Sequence, residues 1–258
     1  MSTNRRDKHH AGRGYWLYGR HPVIHALNNS DRELIELLLT ESSKQFFEES
    51  GMSPAKLKVP YRIVSNESIQ MLLPYGTTHQ GVALHTKPLE ARYLKEVLLG
   101  INSQGKNGRS LLLICDQITD PHNFGAIIRS AAAFGVDALV VPERNQALES
   151  ASVAKAACGM LEVVPIATVV NIADAMRTLK DAGYWTIGLD ANASDDLHVA
   201  QKFDKIALVL GAEGEGMRRL TIKNCDLLVK IPMNKRAESL NVSAATAVAL
   251  YALAKDNI

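Results

Sequence analysis

Asn123 and Arg129 stand six residues apart in "DPHNFGAIIR", an amide and a permanent cation on one predicted helix that follows a buried apolar run. An amide can orient a hydroxyl or a cation, and a guanidinium can clamp a phosphate or donate to a developing oxyanion. Farther on, "LVLGAEGEGM" sets Glu213 and Glu215 among three glycines at the end of a second apolar run. Glycines free the backbone for close approach, and carboxylates repel phosphate, so this loop suits a cationic or hydroxyl-bearing ligand. Near the end of the sequence, "IPMNKRAESLNVSAA" places Ser239, Asn241 and Ser243 around two apolar residues ahead of an alanine-rich helix. Ile231, Pro232 and Met233 suit an adenine ring held by apolar contact and main-chain hydrogen bonds. A plainer set of roles fits the same residues: Asn123 as a helix N-cap, Arg129 as a surface cation and Ser243 as the cap of the last helix. Spacing alone leaves both open.

These residues need a scaffold that brings distant loops together. From Ser110 onward, runs such as "LLLICD", "DALVVP", "KIALVLG" and "DLLVKIP" alternate with helical patterns, among them "HNFGAIIRSAAAFG" and "IADAMRTLKDAG". Strands without polar alternation, separated by helices, predict a parallel sheet covered on both faces, with ligands at the carboxyl ends of its strands. Gly135 and Gly183 are the expected helix stops. A dinucleotide-binding protein would carry G-x-G-x-x-G after the first strand, and "LLLICDQITDPHN" does not.

Residues 15–88 form a smaller α/β unit, with "ELIELLLT", "VPYRIVS" and "HQGVALHT" as strand candidates. Residues 89–108, ending in "NSQGKNG", have the composition of a linker, and 109–258 make the larger α/β domain. Residues 1–14 carry Arg5, Arg6, Lys8 and Arg13 against Asp7 and are expected to form a flexible basic arm.

Twenty-nine Lys and Arg against 27 Asp and Glu leave a formal charge of +2, too small to announce nucleic-acid binding by itself. Three dispersed cysteines imply neither a disulfide framework nor a zinc knuckle. His21 and His25 lack partners spaced for a metal, so no metal site is expected. No apolar run is long enough to span a membrane, and no signal-peptide core follows the basic start. A soluble, cytoplasmic protein is expected.

The three segments, taken in order, resemble the motifs of the SpoU/TrmH family of RNA 2'-O-methyltransferases, which belongs to the SPOUT class. The resemblance runs from about Arg109 to Lys255, and "YGRHPVIHAL" resembles the opening of the L30e-like domain of one subgroup. That subgroup methylates guanosine in the peptidyl-transferase region of 23S rRNA. The resemblance implies a deep trefoil knot around the second and third motifs, S-adenosylmethionine as methyl donor, RNA as substrate and a homodimer, with no DNA and no membrane. It implies Gly211, Ile231, Met233, Ser239 and Leu240 as cofactor contacts. Asn123, Arg129, Glu213 and Asn241 become the reacting set. The family proposal makes the motif-one arginine the base; a guanidinium holds its proton too tightly for that, so Arg129 is expected to clamp and stabilise while Glu213 or water takes the proton. In the turn after Pro232, where the subgroup usually carries small residues including glycine, this chain has Met233 to Glu238 at the same length, and Lys235 and Arg236 are candidates for phosphate contact. A tRNA ribose methyltransferase and a non-catalytic RNA-binding or ribosome-assembly protein are the alternatives.

Overall fold

The computed structural model describes residues 14–103, 108–144, 146–147, 149–234, 236 and 239–254. The expected basic arm, apart from Gly14, lies outside them, as do residues 104–107 of the expected linker and Lys235. By its contacts the chain divides into two compact units: the chain up to Glu90 with Glu149–Glu162, and Ala91–Leu148 with the chain from Val163 onward.

The first unit is built on four strands in the order β1-β4-β2-β3: β1 (Tyr15–Tyr18), β2 (Leu34–Leu39), β3 (Tyr61–Ile63) and β4 (Val82–Thr86). β4 pairs antiparallel with both β1 and β2, and β3 joins β2 in parallel. Helices α1 (Arg20–Asn28), α2 (Glu41–Glu49) and α3 (Asn66–Gln70) connect them. Thr40 and Ser65 cap α2 and α3 by accepting from the main-chain N–H three residues on. The segment Glu149–Glu162, within which helix α6 (Ala151–Ala156) lies, packs into this unit through charge. The Arg32 side chain is wholly buried between the carboxylates of Glu149 and Glu162. Tyr15 donates to Glu149 at 2.7 Å and Asn29 to Glu162 at 2.7 Å. Burial alone would lower the Arg32 pKa, but Tyr15 and the two carboxylates outweigh it and raise it.

The second unit holds seven parallel strands in the order β7-β6-β5-β10-β8-β11-β9. They are β5 (Ser110–Cys115), β6 (Ala138–Pro142), β7 (Ile166–Val169), β8 (Trp185–Leu189), β9 (Asp195–Asp196), β10 (Lys205–Leu210) and β11 (Leu227–Lys230). All six residues of β5 are buried, as a strand covered on both faces requires. On one face Leu112, Ile114, Val140 and Val209 pack with Met176 and Leu179 of α7 (Ile172–Asp181). Leu94, Val97, Leu98 and Ile101 join that core from helix α4 (Leu94–Ser103), which lies inside the stretch whose composition reads as a linker. Helix α5 (Pro121–Ala133) packs against α9 (Val242–Leu253), while α8 (Arg219–Asn224) leads into β11. Gly135, at φ +67°, and Gly183, at φ +87°, follow the last turns of α5 and α7 as expected for left-handed helix stops. No helix among the described residues is long and apolar enough to cross a membrane.

Candidate functional site

The carboxyl ends of β5 and β10, neighbours in the sheet, carry the site. Leaving β5, the chain enters α5 through Asp120, whose carboxylate accepts from the N–H groups of His122 and Asn123, both at 3.2 Å. Asp120 is therefore the N-cap, and the plainer reading of Asn123 as cap is corrected. A carboxylate at the N-cap satisfies the first free amides and suits the positive end of the helix dipole. The side chain of Asn123, buried with 8% exposure, is left to do something else.

It reaches the loop after β10, donating through Nδ2 to Oε2 of Glu213 at 2.7 Å. That loop is a tight reversal: Ala212 and Gly216 exchange two main-chain hydrogen bonds of 3.0 and 2.9 Å, leaving Glu213, Gly214 and Glu215 at the tip. Gly214 and Gly216 take φ of +83° and +70°, where a Cβ would be strained. Gly211 is held to glycine by crowding: an added Cβ would lie 2.1 Å from the carbonyl carbon of Gly216 and 2.2 Å from the nitrogen of Met217. Its missing side chain lets the loop close on itself.

The third segment completes the cluster. Asn241 accepts through Oδ1 from the N–H of Ser243 at 3.0 Å and from the Ser243 hydroxyl at 2.6 Å, so Asn241 caps α9 and Ser243 supports it, the reverse of the expected capping by Ser243. A main-chain N–H can only donate, which fixes the amide orientation. Nδ2 of Asn241 then faces inward, donating to Oδ1 of Asn123 at 3.0 Å and to Oε1 of Glu213 at 3.2 Å. Three residues from three motifs thus share one hydrogen-bonded triangle, with one amide donor on each carboxylate oxygen.

Arg129 is exposed on the same helix as Asn123. Six residues along an α-helix advance it by about 9 Å along the axis and about 240° around it, so its backbone position lies on a different face of α5 from Asn123. Ile231 and Met233 are half-buried in irregular chain after β11, and Ser239 and Leu240 are exposed just before α9. Leu240, 41% exposed, is an apolar side chain beside the triangle's Asn241. Asn234 accepts through its side chain from the N–H of Arg236 at 3.0 Å, a local Asx-type turn.

One further residue holds the glycine loop, and nothing in its local pattern announces it. Asp116, fully buried at the end of β5, accepts from the Thr221 hydroxyl at 2.6 Å and from the N–H of Arg218 at 3.4 Å, and pairs with the Arg218 guanidinium at 2.6 Å. It pins the exit of the loop whose tip carries Glu213. The thiols of Cys115 and Cys225, beside this region, are pushed up to about 12, chiefly by burial, and are unsuited to act as nucleophiles at neutral pH.

The available groups fit a cationic purine nucleoside such as S-adenosylmethionine. Apolar side chains and irregular main chain at Ile231, Met233 and Leu240 suit a neutral ring, and the carboxylates of Glu213 and Glu215 suit a sulfonium or ammonium charge.

A parallel α/β domain with a polar cluster at adjacent strand ends, in a chain that also carries a small mixed-sheet unit, defines a ligand-binding α/β class of protein. Residues 110–251 match the model of the SpoU rRNA Methylase family, and residues 16–92 match that described as RNA 2'-O ribose methyltransferase substrate binding. The chain belongs to the SpoU rRNA methylase family. It is 37% identical over 241 residues to the 23S rRNA (guanosine-2'-O-)-methyltransferase RlmB of Vibrio vulnificus, covering 92% of this chain and 94% of that one. It is 38% identical over 248 residues to RlmB of Haemophilus ducreyi, covering 94% and 98% respectively. In fold it is similar to the SpoU methyltransferase AviRb from Streptomyces viridochromogenes, solved in complex with the cofactor AdoMet. The TM-score is 0.78 at 21% identity, over 95% of this chain and 90% of that one.

Proposed function

We propose that this protein transfers a methyl group from S-adenosylmethionine to a ribose 2'-hydroxyl of RNA, the target being a guanosine of 23S rRNA. The observation that carries the reading is the triangle of Asn123, Glu213 and Asn241, which draws the three family motifs to one point. Family membership and the full-length similarity to the RlmB proteins support the substrate.

When bound, S-adenosylmethionine supplies a methyl group already activated by its sulfonium. The main chain at Gly211, Ile231, Met233 and Leu240 would hold its adenosine, and Ser239 its methionine end. The remaining task falls to the protein: a ribose hydroxyl must lose its proton near neutral pH. Arg129 clamps the adjoining phosphate and donates to the ribose oxygen as negative charge develops there; it does not accept the proton. Glu213 takes it, directly or through a water. The amides of Asn123 and Asn241 use one lone pair on each of its oxygens, and a second lone pair on each stays open. Asn123 and Asn241 keep that carboxylate in place.

Residues 15–88 serve as an L30e-like RNA-binding domain, 89–108 as a connection whose helix α4 packs into the core of the larger unit, and 109–258 as the methyltransferase domain, with a trefoil knot around the second and third motifs. Lys235 and Arg236 contact RNA phosphate. Two copies pair through the α9 side of the knot region. Val248, 44% exposed, and Tyr251, 62% exposed and edge-on to Phe134, give that side an apolar surface of the kind subunits cover. The protein works in the cytoplasm.

Methyl transfer from labelled S-adenosylmethionine to separate pools of unmodified 23S rRNA and tRNA tests this. Label entering 23S rRNA alone supports the reading; label entering tRNA alone overturns the substrate.

A further inference from the structure

The first unit carries a groove that the chemistry above does not use. Two clefts, of about 540 and 480 Å³, are neighbours that share Asn66 and His79 as lining residues. At one end stand Glu67, Met71 and Tyr75; at the other, Arg20 and Gln80. The two ends differ in chemistry.

Tyr75 is fully exposed and Met71 is 80% exposed, so a ring and a thioether present their faces at the groove without protein cover. Beside them, Asn66, Glu67 and Gln70 supply an amide, a carboxylate and an amide, which match the donor and acceptor edge of a base. Arg20 lies with its guanidinium carbon 4.1 Å from the centroid of the Phe46 ring. Its Nε is buried and has no hydrogen-bond partner among the described residues. A buried donor left without a partner is costly, and a ligand oxygen would satisfy it.

The floor is set rigidly. Gln80 takes φ +56° and Gly81 φ +75°, and a Cβ on Gly81 would meet the hydroxyls of Thr40 and Ser43 at 2.4 Å. The Gln80 side chain accepts from the N–H of Arg20 at 3.2 Å and from Lys155 at 3.4 Å, and Lys155 also donates to the carbonyl of Thr78 at 3.2 Å. His79 accepts through Nδ1 from the N–H of Gly81 at 3.1 Å, which places its proton on Nε2 as a donor. Burial and the nearby Lys155 lower the His79 pKa and keep the ring neutral.

We propose that this groove takes one unstacked nucleotide of the RNA substrate, its base against Tyr75 and Met71 and its phosphate at Arg20. The separation of charge orients the ligand, because Glu67 repels a phosphate that Arg20 attracts. Sequence-specific RNA recognition favours single-stranded positions whose bases are splayed onto aromatic rings, and each cleft has the volume of a small-ligand site. The inference rests on the reading that the chain acts on RNA.

The test uses the full-length protein and unmodified 23S rRNA, with two readouts: RNA affinity without cofactor, and KM and kcat for methyl transfer. Tyr75→Ala should weaken RNA binding and raise the RNA KM about tenfold, with kcat at saturating RNA lowered far less and S-adenosylmethionine affinity unchanged. Tyr75→Phe, which keeps the ring, should rescue both. Arg20→Ala should weaken binding and reduce the salt dependence of log affinity by about one unit. Unchanged RNA affinity and KM in Tyr75→Ala would overturn the groove; because Tyr75 is fully exposed, that variant is not compromised by misfolding. If the wild-type protein binds 23S rRNA but transfers no methyl group, the functional reading fails while the affinity readout still decides the groove.

Discussion

Asn241 donates to Oδ1 of Asn123 at 3.0 Å across 118 residues of sequence, while its own Oδ1 caps the last helix. One side chain therefore ties the stability of α9 to the geometry around Glu213. Asn241→Ala should cost about 1 kcal/mol of stability through the lost cap and lower turnover at the same time. Asn241→Asp separates the two effects. It keeps the capping acceptor but replaces the inward donor by a carboxylate beside Glu213, so turnover should fall while the cap persists. Urea denaturation and kcat, measured on both variants, check this.

Arg129 stands farther along α5 than Asn123, and in the proposed mechanism it acts on the reacting groups. Arg129→Ala should lower kcat about 100-fold or more and leave S-adenosylmethionine affinity nearly intact. Titration calorimetry with the cofactor and steady-state kinetics give the two numbers. An equal loss of cofactor affinity and rate would contradict the assignment.

Gly211 is fixed by main chain on its open side, so even one methyl group must move the loop that carries Glu213. Gly211→Ala should cost about 1–3 kcal/mol through overpacking and lower both cofactor affinity and turnover. Thermal melts with and without S-adenosylmethionine check both parts.

Asp226 predicts a specific acid dependence. Burial alone would raise its pKa, but the ion pair with Lys180 at 2.7 Å and hydrogen bonds from the Thr186 N–H at 2.9 Å and hydroxyl at 2.8 Å lower it below 3.8. A carboxyl whose folded pKa lies below its unfolded value contributes stability that is complete above the unfolded pKa and is lost as pH falls through the folded one. Asp226→Asn should therefore destabilise the protein by about 1 kcal/mol at pH 7, solvent screening limiting the loss, and the difference from wild type should close as pH falls below 3.8. Denaturant midpoints across that range check it.

Much of the larger domain is legible along the sequence because its strands, such as "LLLICD" and "KIALVLG", are continuous apolar runs and its helices end at glycines 135 and 183. Helix α4 carries Leu94, Val97, Leu98 and Ile101 at helical spacing, a signal masked by the Gly- and Asn-rich residues that follow it. What local pattern does not carry is pairing at a distance. Pro121 already marks Asp120 as the cap of α5, but that Asn123 is thereby released to meet Glu213, 90 residues on, is not written in the local pattern. Asp116 reads as a strand end until Thr221, 105 residues away, is seen to meet it. The Glu149–Glu162 segment follows the same logic: its helix is readable, but its place in the first unit depends on Arg32, 117 residues before Glu149.

The most direct measurement is nucleoside mass spectrometry on unmodified 23S rRNA after incubation with the protein and methyl-labelled S-adenosylmethionine. The expected labelled product is 2'-O-methylguanosine, abolished or strongly reduced by Arg129→Ala. Label on a nucleobase, or no label in 23S rRNA despite cofactor binding, would contradict it.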